Sequence, residues 1–204
     1  AAEEAGIDMI CTSHDAPQYG IFNSFEELKR IREAAPTCFM QSGGAVNVAS
    51  DYEAMKLAQK YLDVGADVVY GGTWSYKWIR SLRDENIPIN SHVGLVPGKA
   101  TWIGGFRAIG KTADEAEGVL RHTIELQEAG VIGVELEVVP PKVASVITQK
   151  VDIITLKKQW LLSSTNVGLI IQDKSEVENA LSYSNLFNKV GLRYHLLTTK
   201  REVS

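Results

Sequence analysis

Two glutamates, Glu135 and Glu137, lie two positions apart in the apolar run GVELEVVPP at residues 133–141. In a β-strand, side chains two positions apart point to the same face, so both carboxylates would face one cavity. An unpaired carboxylate buried there would cost several kcal/mol, which leaves two interpretations. Either one glutamate pairs with a lysine such as Lys142, or Glu137 is a general base that removes a proton next to a carbonyl group.

A second residue suited to chemistry is His92, which ends the apolar segment IPINSH at residues 87–92. A histidine in this position is often an ordinary hydrogen-bonding group, but near carboxylates it can bind a substrate or carry a proton. Five glycines follow in the stretch up to Thr112. The sequence predicts a long irregular loop there.

A third polar cluster, Ser13, His14 and Asp15, follows another apolar run in TSHDAPQYG at residues 12–20. Such a corner could hold a metal ion or a carboxylate, although Asp-Ala-Pro is also an ordinary turn opener. Asp15 could not hold Mg²⁺ alone, because this ion binds one or two carboxylates together with substrate oxygens and water.

The elements that would position these side chains repeat one design at residues 1–13, 58–72 and 123–140. In each, a helix-period segment ends at a glycine and an apolar run follows within about two residues. The first copy reads as the end of a helix, so we expect the chain to begin inside an element. Helices with capping residues are predicted at 24–35 (Ser24, Glu27), 50–65 (Ser50) and 112–130 (Thr112, Glu115).

Seven apolar runs predict strands that begin near residues 8, 37, 67, 87, 131, 151 and 167. The runs are nearly continuous instead of alternating, which indicates a parallel sheet covered on both faces. No G-x-G-x-x-G fingerprint follows any strand, so a (β/α)8 TIM barrel lacking its first strand fits better than an open doubly wound sheet. We predict one barrel domain over residues 1–204, N-terminally incomplete, in which the tail from 173 to 204 is poorly assigned and reads as a helix followed by a short strand or a frayed end.

Composition limits the classes of partner. The chain has 204 residues, of which 45% are apolar, with a net charge of −4 and a pI near 5.6, so it offers no basic field for nucleic acid. No apolar run reaches the roughly 20 residues that cross a bilayer, and the acidic start is unlike a signal peptide. We expect a cytoplasmic protein without membrane contact, in which Cys11 and Cys38 are reduced core residues.

In a barrel of this kind, function lies at the carboxyl ends of the strands, where the chemistry-bearing side chains must be sought. The polar residues that end or follow the predicted strands are Ser13, His14, Asp15, Gln41, Ser42, Tyr70, Thr73, Ser91, His92, Glu135 and Glu137.

Four segments resemble the signatures of the ketopantoate hydroxymethyltransferase family, also named 3-methyl-2-oxobutanoate hydroxymethyltransferase. They are SHVGLVP (91–97), IGGFRAIGKT (103–112), IELQEAG (124–130) and ELEVVP (135–140). The likeness covers roughly residues 1 to 155. It implies a barrel of the phosphoenolpyruvate mutase and isocitrate lyase superfamily and a homo-oligomer. It also implies that a hydroxymethyl group passes from methylenetetrahydrofolate to 3-methyl-2-oxobutanoate, a 2-oxo acid chelated by Mg²⁺, in pantothenate biosynthesis.

The resemblance also assigns roles. Glu137 matches the family's catalytic glutamate and His92 a histidine that lines the substrate pocket, so the glycine-rich loop after His92 would wall that pocket. The metal corner of the family aligns with TSHD, which puts its aspartate on His14 and leaves Asp15 as the nearest carboxylate for a metal. The metal-associated glutamate falls on Tyr70, and His14 and Tyr70 would then contact substrate.

Other departures from the family pattern remove charge from the site. The substrate-binding lysine is matched by Val68, a second aspartate falls within the neutral stretch 41–44, and a glycine-rich turn after the seventh strand reads TLKKQWL. Mg²⁺ needs carboxylate charge, so three hypotheses stay open. The chain is a hydroxymethyltransferase or a related enzyme of 2-oxo acid enolates, a lyase or phosphonomutase of the same superfamily, or a non-catalytic paralogue that binds a small acid.

Overall fold

A computed structural model describes residues 7–13, 25–43, 48–158, 168–171 and 195–198. Its strands are β1 Met9–Ser13, β2 Phe39–Gly43, β3 Val68–Tyr70, β4 Ile89–Gly94, β5 Gly133–Glu137, β6 Ile154–Lys158, β7 Gly168–Ile171 and β8 His195–Thr198. Its helices are α1 Phe25–Ala34, α2 Asp51–Asp63, α3 Tyr76–Asp84, α4 Ala113–Ala129 and α5 Pro141–Lys150, with a 3-10 helix at Pro97–Ile103.

The first six strands form one parallel sheet in the order β1-β2-β3-β4-β5-β6, which curls into a half-barrel. Strands and helices alternate along the chain, so the predicted α/β class and the parallel barrel-type sheet are confirmed. Each of the seven predicted strands is present within a few residues of its expected start. In the tail, β8 pairs with β7 in a separate parallel ladder, so a short strand is the correct interpretation of that stretch.

The core lies between the sheet and the helices. Ile89 and Val93 of β4 and Val134 and Leu136 of β5 belong to one buried apolar cluster with residues of α2, α3, α4 and α5. The alternate positions of β4 and β5 therefore face the inside of the half-barrel, and they are polar. The prediction of strands apolar on both faces was wrong for this inner face, because it carries the candidate site.

Local signals placed the helix ends correctly where the structure describes them. The Ser50 side chain accepts a hydrogen bond from the Glu53 amide at the start of α2, and Gly130 ends α4 in the left-handed conformation (φ 106°). Helices α3 and α5 were absent from the sequence interpretation. Ser75 caps α3, since its hydroxyl accepts from the Trp78 amide, and α5 begins at Pro141. The helix end predicted at the start of the chain and the Ser24 cap lie outside the described residues.

Burial separates the two cysteines. Cys38 is buried, as expected, and its thiol donates to the Ile7 carbonyl at 3.2 Å. Cys11 is exposed on β1, so the expectation of a core position was wrong for it. Cys11 is in register with Gln41 on the inner face of the half-barrel, whereas its neighbour Thr12 is buried on the opposite face. Among the residues that the structure describes, no helix is long and apolar enough to cross a membrane.

Thr112→Ala is expected to lower the free energy of unfolding by about 1 kcal/mol, because the Thr112 hydroxyl accepts a hydrogen bond from the Glu115 amide at the start of α4. A drop of about 2–4 °C in thermal midpoint would report it. Thr112→Ser keeps the acceptor and serves as the matched control. Equal midpoints for the two variants would contradict the capping role.

Candidate functional site

Glu137 and His92 form the centre of the candidate site. Glu137 ends β5 and is only 1% exposed, and His92 on β4 is 5% exposed. The His92 Nε2 atom lies 2.9 Å from the Glu137 Oε2 atom, although the two groups are not aligned as a regular hydrogen bond. Because a buried polar group is costly without a partner, the closeness of the two side chains stabilises both in this buried position.

The backbone around Glu137 is closely packed against β4. Gly94 is its register partner, and the Leu95 amide donates to the Glu137 carbonyl at 2.8 Å. A Cβ atom at Gly94 would overlap the Glu137 carbonyl oxygen and lie 2.5 Å from a Val139 methyl group. Gly94 also has a φ of 84°, which side chains disfavour, so only glycine allows this approach.

Tyr70, at the end of β3, lies beside His92, with the two ring centroids 5.9 Å apart. The Tyr70 ring lies over Gly72, where a Cβ atom would come within 3.1 Å of the ring and its hydroxyl. On the other side, Gly43 is its strand partner, and a Cβ atom there would overlap the Tyr70 backbone. Three successive strands thus bring Tyr70, His92 and Glu137 together.

An amide pair lies below these residues on the inner face. The Asn90 amide nitrogen donates to the Gln41 side-chain oxygen at 2.7 Å, and both residues are 4% exposed. The Asn90 Oδ1 atom is buried without a hydrogen-bond partner among the described residues. The sequence interpretation missed Asn90, although its position two residues before His92 places it on the same face of β4.

Other predicted site residues fall elsewhere. Ser42 bonds the Thr12 hydroxyl at 2.7 Å, and Ser91 neighbours His92 on β4 and therefore faces the helices. Thr73 is half-buried in the turn after β3. His14, Asp15 and the side chain of Ser13 lie outside the described residues.

Of the two candidate carboxylates, Glu137 is the buried one. Glu135 shares its strand face but is half-buried, and it pairs in register with His92. Lys142, the suggested structural partner, is exposed at the start of α5. The side chain that the structure places against Glu137 is the His92 ring, 2.9 Å away.

The described residues do not fit a magnesium site. No three His, Cys, Asp or Glu side chains converge anywhere in the ranges that the structure describes. At the positions where the family resemblance expects metal-binding acids, the donors are the amide of Gln41, already bonded to Asn90, the hydroxyl of Ser42, bonded to Thr12, and Tyr70. These neutral groups lack the charge that Mg²⁺ requires.

A second group of titratable side chains lies where α3 packs on α4. The Tyr76 hydroxyl donates to a Glu125 carboxylate oxygen at 2.8 Å, and the Tyr76 ring contacts the His122 ring edge-on at 5.7 Å. Burial, followed by its hydrogen bond to Glu125, raises the pKa of Tyr76. Burial lowers the pKa of His122, and the nearby charges of Lys99 and His92 act in the same direction while Glu125 opposes them.

The lowered pKa of His122 predicts a loss of stability in mild acid. Below the ordinary histidine pKa of about 6.5, His122 is protonated in the unfolded chain but stays neutral in the folded chain. The free energy of unfolding therefore falls as pH is lowered from about 6.5 to the lower pKa of His122 in the folded chain. His122→Gln is expected to flatten the dependence of the unfolding midpoint on pH below about 6.5, measured in urea at several pH values. Parallel curves for both proteins would show that His122 does not cause the dependence.

A model of the ketopantoate hydroxymethyltransferase family matches residues 39–157, more than half of the chain. The chain belongs to this family. The match spans β2 to β6 and includes Tyr70, His92 and Glu137. The resemblance inferred from the four sequence segments is therefore confirmed.

Curated relatives of this family carry the name 3-methyl-2-oxobutanoate hydroxymethyltransferase. The Vibrio cholerae protein is 32% identical over 126 residues, which cover 60% of this chain and 48% of the relative. The Thermus thermophilus protein is 33% identical over 169 residues, covering 76% of this chain and 65% of the relative. The chain thus spans between about half and two thirds of the length of these two proteins.

Solved structures support the fold of this family member. The crystal structure of 2,3-dimethylmalate lyase, a PEP mutase/isocitrate lyase superfamily member, superimposes with a TM-score of 0.58 at 12% identity. The superposition covers 96% of this chain and 70% of the lyase chain. It supports the barrel class predicted from the strand pattern.

Proposed function

We propose that the chain carries the proton-abstracting half of a ketopantoate hydroxymethyltransferase site, with Glu137 as the general base. The substrate would be 3-methyl-2-oxobutanoate and the one-carbon donor methylenetetrahydrofolate. The observation that carries this proposal is the buried contact between Glu137 and His92 at 2.9 Å, at the carboxyl ends of adjacent parallel strands. Family membership supplies the substrate class.

The proposed first step removes the C3 proton of the 2-oxo acid. The Glu137 carboxylate takes the proton, and the electrons of the broken C–H bond become those of an enolate. Water cleaves both C–N bonds of methylenetetrahydrofolate to give tetrahydrofolate and formaldehyde. The enolate carbon then adds to the formaldehyde carbon, and the formaldehyde oxygen takes the proton from Glu137 to become the hydroxyl group. His92 would position this carboxylate, because its Nε2 atom lies 2.9 Å from the Glu137 Oε2 atom.

His92 and Tyr70 would bind the substrate. Both line the inner face beside Glu137, and both are less than one-tenth exposed, so they exclude water from the reacting carbon. His14 is proposed as a further substrate contact. The Asn90 oxygen that lacks a partner among the described residues would accept a hydrogen bond from a ligand or from water at the inner end of the site.

Asp15 remains the carboxylate proposed for Mg²⁺, and the described residues give the ion no further acidic ligand. A titration with MgCl₂, followed by thermal unfolding, tests this assignment. A midpoint that rises with Mg²⁺ in the natural chain and not in Asp15→Asn would support it, because a ligand stabilises the state it binds. Identical curves for the two proteins would remove Asp15 as a ligand.

A second candidate function is a non-catalytic module that binds a small acid. The neutral Gln41–Asn90 pair favours it, since Gln41 lies in the stretch where the family resemblance expects acidic charge, which metal-assisted chemistry needs. Such a module would retain substrate binding without proton abstraction.

Exchange of the C3 proton of 3-methyl-2-oxobutanoate in deuterated water separates the two functions. The full chain would be incubated with the acid, with Mg²⁺ or with EDTA, and loss of the C3 proton signal followed by NMR. Exchange above the rate of the protein-free sample would support the enzyme. Saturable binding of the acid without exchange in either buffer would support the non-catalytic module.

We also propose a homo-oligomer and a cytoplasmic location for the protein. Sedimentation of the natural chain tests the first, since a monomeric mass at micromolar concentration would exclude a stable oligomer. Fractionation of producing cells tests the second.

A further inference from the structure

Val138, directly after Glu137, has an unusual backbone conformation. Its φ is 51°, in the left-handed region, and the other non-glycine residue with a positive φ in the described ranges is Asn86. Asparagine tolerates this region, whereas a β-branched residue such as valine is a genuine outlier there. A strained conformation of this kind persists only where the surrounding structure imposes it.

The connection between β4 and α4 imposes this conformation from both of its ends. At its beginning, the Leu95 amide donates to the Glu137 carbonyl at 2.8 Å. At its end, the Ile109 amide donates to the Val138 carbonyl at 3.1 Å. Two consecutive carbonyl groups are therefore fixed by residues fourteen positions apart in sequence, Leu95 and Ile109.

The far end of this connection is anchored to α4. A carboxylate oxygen of Glu115 accepts hydrogen bonds from the Gly110 and Lys111 amides, and its other oxygen pairs with Arg107 at 2.7 Å. Thr112 caps the same helix. These contacts hold the segment that contains Ile109, so the position of the Ile109 amide against Val138 is fixed.

We propose that Val138 is a positioning residue. Its left-handed conformation, held by the Leu95 and Ile109 amides, turns the chain at the end of β5 and keeps the Glu137 carboxylate against His92. Glu137 is the last residue of β5, so strand pairing holds it from one side of the sequence only. The turn at Val138 fixes the backbone on the other side and thereby the direction of the Glu137 side chain. The inference rests on the proposed function only for its consequence in catalysis.

Two substitutions separate positioning from a merely structural role. Val138→Gly removes the strain but also lets the backbone leave the left-handed region, whereas Val138→Asn removes the strain and keeps that preference. For Val138→Gly we expect kcat for C3 proton exchange to fall roughly ten- to hundredfold with KM nearly unchanged. Val138→Asn is expected to recover most of that loss and to unfold about 2–4 °C higher than the natural chain.

The ring ¹⁵N signals of His92 give a readout that needs no turnover. Glu137→Gln supplies the reference spectrum of a histidine without the carboxylate. The His92 signals of Val138→Gly are expected to move toward this reference, and those of Val138→Asn to stay near the natural chain.

The outcomes distinguish the two proposals. If the natural chain shows no exchange while the His92 signals respond as described, the proposed function fails and the positioning role stands. If Val138→Gly keeps both the kcat and the His92 signals of the natural chain, the positioning role is overturned. A fall in activity accompanied by an equal loss of stability in both variants would overturn it as well, because strain release predicts a gain.

Discussion

Glu137→Gln is expected to lower the rate of C3 proton exchange from 3-methyl-2-oxobutanoate by a factor of about 10²–10⁴, the usual contribution of a general base. The amide has nearly the shape of the carboxylate but cannot accept the proton. Because His92 remains in place, substrate binding is expected to change less than turnover. The measurement is the initial exchange rate by NMR at saturating acid.

Glu135→Gln provides the matched control for this experiment. Glu135 lies on the same face of the same strand, two residues earlier, but it is half-buried. Its register partner is His92, whereas the register partner of Glu137 is Gly94. Its replacement is expected to leave the exchange rate within a few-fold of the natural chain. Similar losses in the two variants, or a Glu137→Gln protein that exchanges at the natural rate, would refute Glu137 as the base. Thermal unfolding of each variant excludes loss of fold as the cause.

Gly94→Ala is expected to cause the largest loss of stability, roughly 2–5 kcal/mol in the free energy of unfolding. Two effects add here. The φ of 84° disfavours any side chain, and the new Cβ atom would overlap the Glu137 carbonyl oxygen and press on Val139. The thermal midpoint should fall by about 2–4 °C for each kcal/mol. Proton exchange should fall with it, since the overlap displaces the backbone of the proposed base.

Gly105→Ala separates the two effects of the Gly94 substitution. Gly105 also has a positive φ, of 105°, but a Cβ atom there meets nothing within 4 Å. Its replacement costs only the conformational strain, about 1 kcal/mol. Equal destabilisation by the two alanines would show that the close approach of β4 to Glu137 contributes nothing.

The contact between Glu137 and His92 links the fold to the proposed chemistry. The His92 ring, 2.9 Å from the carboxylate, offers a polar partner to a side chain that is only 1% exposed. The same contact could equally serve a structural role in a binding module. Exchange measurements, and not the distance between them, therefore decide between enzyme and binding module.

Several features of the fold were predictable from sequence because their causes are local. The caps at Ser50 and Thr112 and the left-handed Gly130 each depend on residues within one helical turn. Apolar runs located the strands for a similar reason, because a buried strand requires apolar residues within its own short segment. Helices α3 and α5 carry no acidic residue in the first turn, unlike α2 and α4, so this local signal of a helix start is absent from them.

The sequence by itself determined the strand positions, the parallel α/β class, the family and the candidates Glu137, His92 and Tyr70. Only the tertiary structure decided that Glu137 and not Glu135 is the buried acid, that Tyr70 packs beside His92, and that Asn90 bonds Gln41. The left-handed turn at Val138 was likewise invisible, because valine signals no turn. These facts depend on register and on sheet curvature, which join residues far apart in the chain. No local pattern encodes a distance across strands, so the site becomes visible only when the strands are placed side by side.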